Sequence, residues 1–274
     1  MIKLAYSTLA CPNWTVEQAV EAAKLYGYDA IEWRLADGEV LSPQTPESVK
    51  RRVIELTHQH GLAVACLDTS CQFVQASDEV RQQVIQAAIA MTDLAVELGA
   101  PYLRVFGGKI PEGSTRAELL APTRAALATV AAYCAAKAVT LLLETHDDWS
   151  RSLDTLALIT DIPAGVAVLW DVHHPFRMDE TPAQTLHNLK DGQSIAHVHI
   201  KDARRDPLQA SGWQLTLLGE GEVPVQQAVQ LLQQHGYNGY LSLEWEKKWH
   251  PEIAEPEVAL PQAIKLLHTY LATT

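Results

Sequence analysis

The sequence predicts a single (β/α)₈ barrel that spans residues 1–274, and three observations lead to this prediction. Eight short apolar runs alternate with eight longer amphipathic stretches along the chain, which is the pattern of an α/β barrel. Polar residues that can bind a metal stand where several runs end, and the rim formed by such ends carries the sites of barrel proteins. No break in composition or low-complexity linker marks a second domain. A doubly wound parallel sheet is the main alternative.

The predicted strands are short runs of mostly apolar residues, as expected for parallel strands that are covered on both faces. They occupy residues 2–7, 29–33, 62–67, 102–106, 139–143, 166–170, 195–200 and 240–243. Parallel neighbours need a long crossover connection, and the stretches between these runs are long enough to form helices.

The predicted helices begin and end at residues that favour those positions. Thr15 suits the N-cap of the first helix, and Pro46 suits the first turn of the second, where its missing N–H costs nothing. Gly61 and Gly99 are expected to end the second and third helices. The later helices are predicted at about 115–137, 153–160, 182–189, 225–235 and 257–270, and residues 212–221 have room for a short hairpin.

Composition and charge exclude several classes of protein. Hydrophobic content of 47% and charged content of 20% are ordinary for a soluble domain. The net charge of −12 disfavours nucleic acid and anionic membranes as partners. The four cysteines form no C-x-x-C pair, so we expect reduced thiols and a cytoplasmic location. Neither a secretory leader nor an uninterrupted apolar run of membrane-spanning length is visible.

Four apolar runs in the second half of the chain each end in a residue that can bind a metal. These residues, called the quartet below, are Glu144, Asp171, His199 and Glu244. Strand ends meet at one rim of a barrel, and three carboxylates with one imidazole suit Mn²⁺, Mg²⁺, Co²⁺ or Zn²⁺. Any single strand-end acid is more simply a helix cap or the partner of a Lys or Arg. Four at consecutive strand ends favour a divalent metal site.

Three further histidines are candidates for binding a substrate. His174 follows Asp171 by three residues and can turn back over the pocket to bind hydroxyl groups. His197 shares a strand face with His199, so it either supports that residue or contacts the substrate. A hydrogen-bonded core histidine is an equally good interpretation of His197. His146 lies just beyond the fifth strand and can reach the rim.

Charged residues near the rim form a second group of candidates. Lys201 could hold a substrate oxygen or phosphate, or pair with Asp202. Glu220 lies between two glycines, which let a backbone approach a ligand and equally suit a plain turn. Weaker candidates, each of which could find a charge partner of its own, end the first-half strands: Glu32, Arg34, Asp68 and Arg104.

At these residues the chain resembles the xylose isomerase-like TIM barrels over nearly its whole length. It is most similar to the sugar phosphate isomerase/epimerase group, with the ketose 3-epimerases, inosose dehydratases and hydroxypyruvate isomerases. The resemblance rests on motifs that are weak singly and specific in their order: Leu-Ala-Cys-Pro-Asn-Trp-Thr, Tyr-Gly-Tyr-Asp-Ala-Ile-Glu-Trp-Arg, Leu-Leu-Glu144-Thr-His, Trp-Asp171-Val-His-His174, His197-Val-His199-Ile-Lys-Asp, Leu-Gly-Glu220-Gly-Glu and Ser-Leu-Glu244-Trp-Glu.

The resemblance implies roles for particular residues. The family's metal ligands carry over onto the quartet, with Mn²⁺ as the first choice of ion. Its substrate-contacting histidine carries over onto His174, and the arginine a few residues after the metal histidine onto Arg204 or Arg205. The family's first-half substrate contacts do not map onto this chain, so the resemblance does not name the substrate.

The functional hypothesis is a metal-dependent sugar isomerase or epimerase that moves a proton beside a carbonyl through an enediolate. Glu144 and Glu244 would carry the proton. A metal-dependent dehydratase of a cyclic or keto polyol, or a non-catalytic sugar-binding barrel, is the alternative. The expected partner is a small sugar or polyol, and the sequence leaves open whether the chain forms a homo-oligomer. The negative charge and the lack of histidine at the early strand ends argue against an apurinic-site endonuclease.

Overall fold

A closed barrel of eight parallel strands forms the protein in the computed structural model, which describes residues 1–273. Each strand pairs with the strands before and after it in the chain, and the eighth pairs with the first. The (β/α)₈ prediction is therefore confirmed. The strands are β1 Lys3–Ser7, β2 Ala30–Trp33, β3 Ala63–Gln72, β4 Tyr102–Phe106, β5 Thr140–Glu144, β6 Val166–Asp171, β7 Ile195–Ile200 and β8 Tyr240–Leu243.

Eight helices follow the strands and surround the barrel. Thr15 caps the first of them by accepting a hydrogen bond from the Gln18 backbone N–H, and Gly99 ends the third in the left-handed region at φ 73°. An additional single-turn helix, His173–Phe176, was not predicted. The helices are α1 Val16–Tyr26, α2 Glu47–Gln59, α3 Asp78–Leu98, α4 Arg116–Ala136, α5 Ser152–Ile159, α6 Pro182–Asn188, α7 Val225–Gln234 and α8 Pro256–Ala272.

Two short antiparallel hairpins extend the connections after β2 and β7. The first pairs Leu35–Ala36 with Glu39–Val40. The second pairs Asp202–Arg205 with Trp213–Thr216. A short hairpin was predicted within residues 212–221, but the strand that lies there, Trp213–Thr216, pairs with the segment that leaves β7 rather than with the rest of that stretch. Strand β3 is also longer than predicted, since it continues to Gln72 at the rim.

The main apolar core lies between the outside of the barrel and the helices. It buries large side chains such as Tyr6, Trp33, Leu127 and Trp170. The interior of the barrel is filled by small groups of residues: Ala5 with Ala30 and Ala65, and Cys66 with Leu142 and Leu169. All four cysteines are buried free thiols, as predicted.

Helix α4 is long and apolar enough to cross a bilayer by length and composition alone. In the barrel it packs against α3 and β5 and buries residues including Leu127 and Val130. Its apolar character is accounted for by this packing in the outer layer of the barrel.

Candidate metal centre

The quartet comes together at the rim where β5 to β8 end. Glu144 and Asp171 are the last residues of β5 and β6, His199 lies near the end of β7, and Glu244 directly follows β8. Asp171 and His199 are direct neighbours in the β6–β7 register, and the Glu244 backbone N–H donates to Ile200 of β7. Each of the four offers a ligand atom within 4.8 Å of the others, and all four side chains are buried.

The donor atoms of the quartet fit a divalent cation. His199 Nδ1 lies 3.5 Å from Glu144 Oε1 and 3.4 Å from Glu244 Oε1. Within residues 1–273, neither His199 Nδ1 nor either carboxylate oxygen of Glu144 makes a hydrogen bond. Buried polar atoms normally make hydrogen bonds, so atoms without one that converge at a single point fit a bound cation. Carboxylates and an imidazole are also the right chemistry for Mn²⁺ or Zn²⁺.

The two glutamates of the quartet are ionised at neutral pH. Burial and the neighbouring Glu244 act to raise the pKa of Glu144, but Arg104 and His199 outweigh them and the pKa is lowered. Burial also acts to raise the pKa of Glu244, and the charges of Lys201 and His199 hold it well below its ordinary value. Both side chains are therefore carboxylates that can coordinate a cation or accept a proton.

Lys201 lies within the cluster and carries a buried positive charge. Its Nζ is 2.9 Å from Asp171 Oδ2 and 2.5 Å from Glu244 Oε2, and it also contacts Glu246. Burial acts to lower the pKa of Lys201, but the charges of Asp171, Glu244 and Glu246 raise it well above its usual range. Pairing with Asp202, one of the two predicted alternatives, is not what the structure shows. Glu246 was missed, although the Glu-x-Glu alternation after β8 puts it on the face of Glu244.

Glu32 links His197 to the quartet because it contacts both His197 and His199. Its Oε2 lies 2.6 Å from His197 Nε2 and its Oε1 lies 2.9 Å from His199 Nε2, with all three side chains fully buried. A hydrogen bond to Nε2 of a neutral imidazole leaves the Nδ1 lone pair free, and Nδ1 of His199 is the atom that faces the two glutamates. His197 therefore lies where it supports His199 through Glu32.

His174 and His146 lie together beside the quartet. Helix His173–Phe176 carries His174, whose Nε2 is 3.7 Å from Asp171 Oδ2. The His146 ring meets that of His174 edge to face at 4.5 Å and lies tilted against the Phe106 ring at 4.5 Å, measured between ring centroids. Burial, with positive charges nearby, holds the pKa of His174 well below its ordinary value, so the ring is neutral at pH 7.

Two predicted substrate-binding residues lie outside this cluster. Arg204 is exposed on the second hairpin and donates to Gln214 Oε1. Glu220 is exposed in a turn. Asp202 stabilises this turn by accepting hydrogen bonds from the backbone N–H groups of Gly219 and Gly221. The glycines of the Leu-Gly-Glu-Gly-Glu segment let this turn pack closely on Asp202.

The first half of the barrel supplies one wall of a cavity beside the quartet. The cavity has a volume of about 300 Å³. Arg104 lies 3.3 Å from carboxylate oxygens of both Asp68 and Glu144. Burial raises the pKa of Asp68 to about 7 in spite of Arg104. The lining residues are Leu9, Arg34, Arg104, Phe106, His146, Glu244, Glu246 and Trp249.

The fold and the cluster define a (β/α)₈ barrel with a candidate metal centre at the carboxyl ends of its strands. The chain belongs to the family of xylose isomerase-like TIM barrels, whose model matches residues 20–270. This agrees with the resemblance read from the motifs. A sequence search of curated proteins found no match to the chain.

Solved structures of similar fold include epimerases and a dehydratase. L-ribulose 3-epimerase has a TM-score of 0.82 at 18% identity, over 100% of this chain and 95% of its own. The IOLI protein, solved with a zinc atom, has a TM-score of 0.82 at 17% identity, over 99% of this chain and 100% of its own. The probable 3-DHS dehydratase AsbF from Bacillus anthracis has a TM-score of 0.78 at 18% identity, over 97% of this chain and 99% of its own.

Proposed function

We propose that this protein is a divalent-metal-dependent sugar isomerase or epimerase that moves a proton on a carbon beside a carbonyl. The observation that carries the proposal is the quartet, whose two ionised glutamates lie 3.5 Å and 3.4 Å from His199 Nδ1. The family and the fold of L-ribulose 3-epimerase support the same reaction class. The donor set favours Mn²⁺, with Mg²⁺, Co²⁺ or Zn²⁺ as alternatives.

The four residues of the quartet would hold the cation. A divalent cation bound there would supply Lewis acidity, which would polarise a carbonyl and offset the charge that develops on its oxygen. Glu32 keeps the His199 ring turned so that Nδ1 faces the other three residues of the quartet. The Lys201 ammonium, 2.9 Å from Asp171 Oδ2, adds a fixed positive charge beside the reacting atoms.

Glu144 and Glu244 would carry the proton. Their lowered pKa values keep both as carboxylates, which is the form that a general base needs. One of them removes a proton from the carbon beside the carbonyl and leaves an enediolate. Return of a proton to the other face of that carbon gives an epimer, and return to the adjacent carbon gives an isomer.

The walls of the cavity would orient the substrate. His146 and His174, whose rings meet edge to face at the rim, are placed to hydrogen-bond hydroxyl groups, and burial keeps the His174 ring neutral by lowering its pKa. Phe106 and Trp249 offer apolar surface to the carbon skeleton of a sugar. Their rings also exclude water from part of the cavity.

A dehydratase is the second candidate, and the shared fold of AsbF is the observation that favours it. Removal of the same proton, followed by loss of a β-hydroxyl group, would give an unsaturated product. Every residue assigned above would keep its role. Product analysis alone separates the two reactions, because they diverge after the proton has left.

Proton NMR in D₂O tests the proposal directly. Ketoses, inososes and hydroxypyruvate would each be incubated with the protein in the presence of Mn²⁺ or of EDTA. We expect deuterium to enter beside a carbonyl only with Mn²⁺, and the identity of the product then distinguishes isomerase, epimerase and dehydratase. A protein that binds sugar tightly and exchanges no carbon-bound proton would be a non-catalytic barrel.

Glu244→Gln provides the matched test of the residue assignment. A general base contributes about 10²- to 10⁴-fold to turnover, so we expect a loss of that order with the fold retained. Glu55→Gln, at an exposed position of α2, is the control and should leave exchange unchanged. Near-native exchange in the Glu244 variant would disprove the role given to that carboxylate.

A further inference from the structure

Arg34 is a buried arginine whose charge has no carboxylate partner. It lies just beyond β2 and is 7% exposed. Its Nη1 donates to the backbone carbonyl of Asp68 at 3.3 Å, and its Nη2 donates to Ser70 Oγ at 2.5 Å. Across residues 1–273 the Arg34 guanidinium takes part in no ion pair, whereas Arg104 beside it pairs with Asp68 and Glu144.

Keeping a buried charge without an ion pair of its own is costly. Burial, followed by repulsion from Arg104, lowers the pKa of Arg34 to about 10, although Asp68 and Glu244 attract the charge from beyond ion-pair distance and act to raise it. The side chain is therefore still a cation at neutral pH. The backbone N–H of Arg34 donates to Thr8 Oγ1 at 2.9 Å, so the backbone of this residue is also held in place. The guanidinium is fixed in place and charged, and it retains N–H donors for a further acceptor.

The position of Arg34 places it between two cavities. It lines the cavity of about 300 Å³ that contains Glu244, His146 and Arg104. It also lines a neighbouring cavity of about 550 Å³, whose walls include Leu41 and Ser70. A ligand with its carbonyl at the quartet would meet this guanidinium at its far end.

We propose that Arg34 binds an oxyanion of the substrate, a carboxylate or a phosphate, at the end remote from the quartet. The proposed substrate class is thus an acidic hydroxy-carbonyl compound rather than a neutral sugar, and this rests on the proposed function. The planar fork of arginine matches two oxygens of a carboxylate or phosphate. With a net charge of −12, the protein would otherwise disfavour an anionic ligand, so a buried cation in the cavity wall gives selective attraction.

The test compares compounds that differ only at one end. D-Fructose, D-fructuronate and D-fructose 6-phosphate form one set, and D-tagatose, D-tagaturonate and D-tagatose 6-phosphate form another, each followed by deuterium exchange with Mn²⁺. We expect one charged form to be preferred over its neutral partner. Arg34→Gln should reduce kcat/KM for that form by about 10- to 100-fold, mainly through KM, and leave the neutral form unchanged.

Arg81→Gln is the control for loss of a buried arginine. Arg81 is likewise 7% exposed, but it pairs with Asp78 and lies on α3 away from the cavity that holds Glu244. Its replacement should lower Tm and leave the charged-over-neutral preference intact. Arg34→Gln removes two hydrogen bonds together with a charge that has no ion pair, and because these effects oppose each other its Tm should stay close to that of the native protein.

Thermal unfolding with added ligands tests the anion site without turnover. Gluconate or inorganic phosphate should raise Tm of the native protein and not of Arg34→Gln, while sorbitol should act on both alike. The anion that stabilises indicates whether the group is a carboxylate or a phosphate.

The two proposals can fail separately. If neutral sugars exchange as well as their acids and neither anion stabilises through Arg34, the anion site is wrong and the isomerase proposal stands. If neither set of compounds exchanges while an anion still stabilises through Arg34, the anion site stands and the proposed reaction is wrong. A lower Tm for Arg34→Gln with an unchanged charged-over-neutral preference would make Arg34 a structural residue and overturn the proposal.

Discussion

Replacement of Glu32 by Gln should weaken metal binding although Glu32 is not a member of the quartet. Glu32 accepts two short hydrogen bonds, at 2.9 Å from His199 Nε2 and at 2.6 Å from His197 Nε2. A carboxylate can accept from both rings, whereas a Gln side chain accepts through its oxygen and offers an N–H to the other ring. One imidazole must then change its tautomer or turn away, and His199 is the one that presents Nδ1 to the quartet.

The expected loss follows from these contacts. A hydrogen bond to a charged group contributes about 1.5–3 kcal/mol, and loss of such a partner behind a metal ligand typically weakens metal affinity about 10- to 100-fold. Isothermal titration of the metal-free protein with Mn²⁺ measures this change. Glu39→Gln, at an exposed position of the first hairpin, is the control and should bind Mn²⁺ as the native protein does.

A second measurement separates positioning from general damage to the fold. Burial acts to lower the pKa of His199, and the Glu32 carboxylate is the strongest of the groups that raise it well above its ordinary value. In metal-free Glu32→Gln we therefore expect NMR titration to give a lower pKa for His199. Native Mn²⁺ affinity together with an unchanged His199 titration would refute the role assigned to Glu32.

Two further predictions concern pH and packing. Burial, opposed by the charge of Lys201, raises the pKa of Asp171 to about 6, above its ordinary 3.8. Its carboxylate is largely protonated below about pH 6, so Mn²⁺ affinity should fall steeply as the pH drops through that value. A dissociation constant that is flat from pH 7.5 to about 5.5 would contradict this. Gly221→Ala would put a Cβ 2.1 Å from Asp202 Oδ1 and 2.6 Å from the Ala203 carbonyl oxygen. Such overpacking should lower the free energy of unfolding by about 1–3 kcal/mol in urea titration, and an unchanged value would contradict the close packing of this turn.

The barrel could be predicted because each of its strands and helices has a recognisable pattern within its own short stretch of sequence. Each strand is an apolar run of its own, and residues such as Thr15 and Gly99 mark helix ends within a few positions of where they occur. Strand β3 was predicted too short because polar residues such as Asp68 and Ser70 interrupt its apolar run, although they stay in the extended conformation up to Gln72. Hydrophobic pattern gives no signal for such a polar continuation.

The residues around the quartet were harder to predict, because their contacts cross the barrel. Glu32 reaches His197 over 165 positions of sequence, and no spacing within a single motif reports such a contact. Lys201 had two sequence interpretations, and neither of them included its ion pairs with Asp171 and Glu244 on the neighbouring strands. Arg204 was assigned from a family position, yet the hairpin turns it outward to Gln214.

The charges at the rim explain why some of these buried groups are kept. Arg104 and Lys201 each hold two or more carboxylates, and this pairing offsets the cost of burying them. Such groups stabilise the metal-free cluster and keep its carboxylates ionised. Arg34 forms no ion pair within residues 1–273, since its hydrogen bonds go to a carbonyl and a hydroxyl. The fold therefore accounts for the burial of Arg104 and Lys201, whereas the burial of Arg34 is what the proposed oxyanion of the substrate would account for.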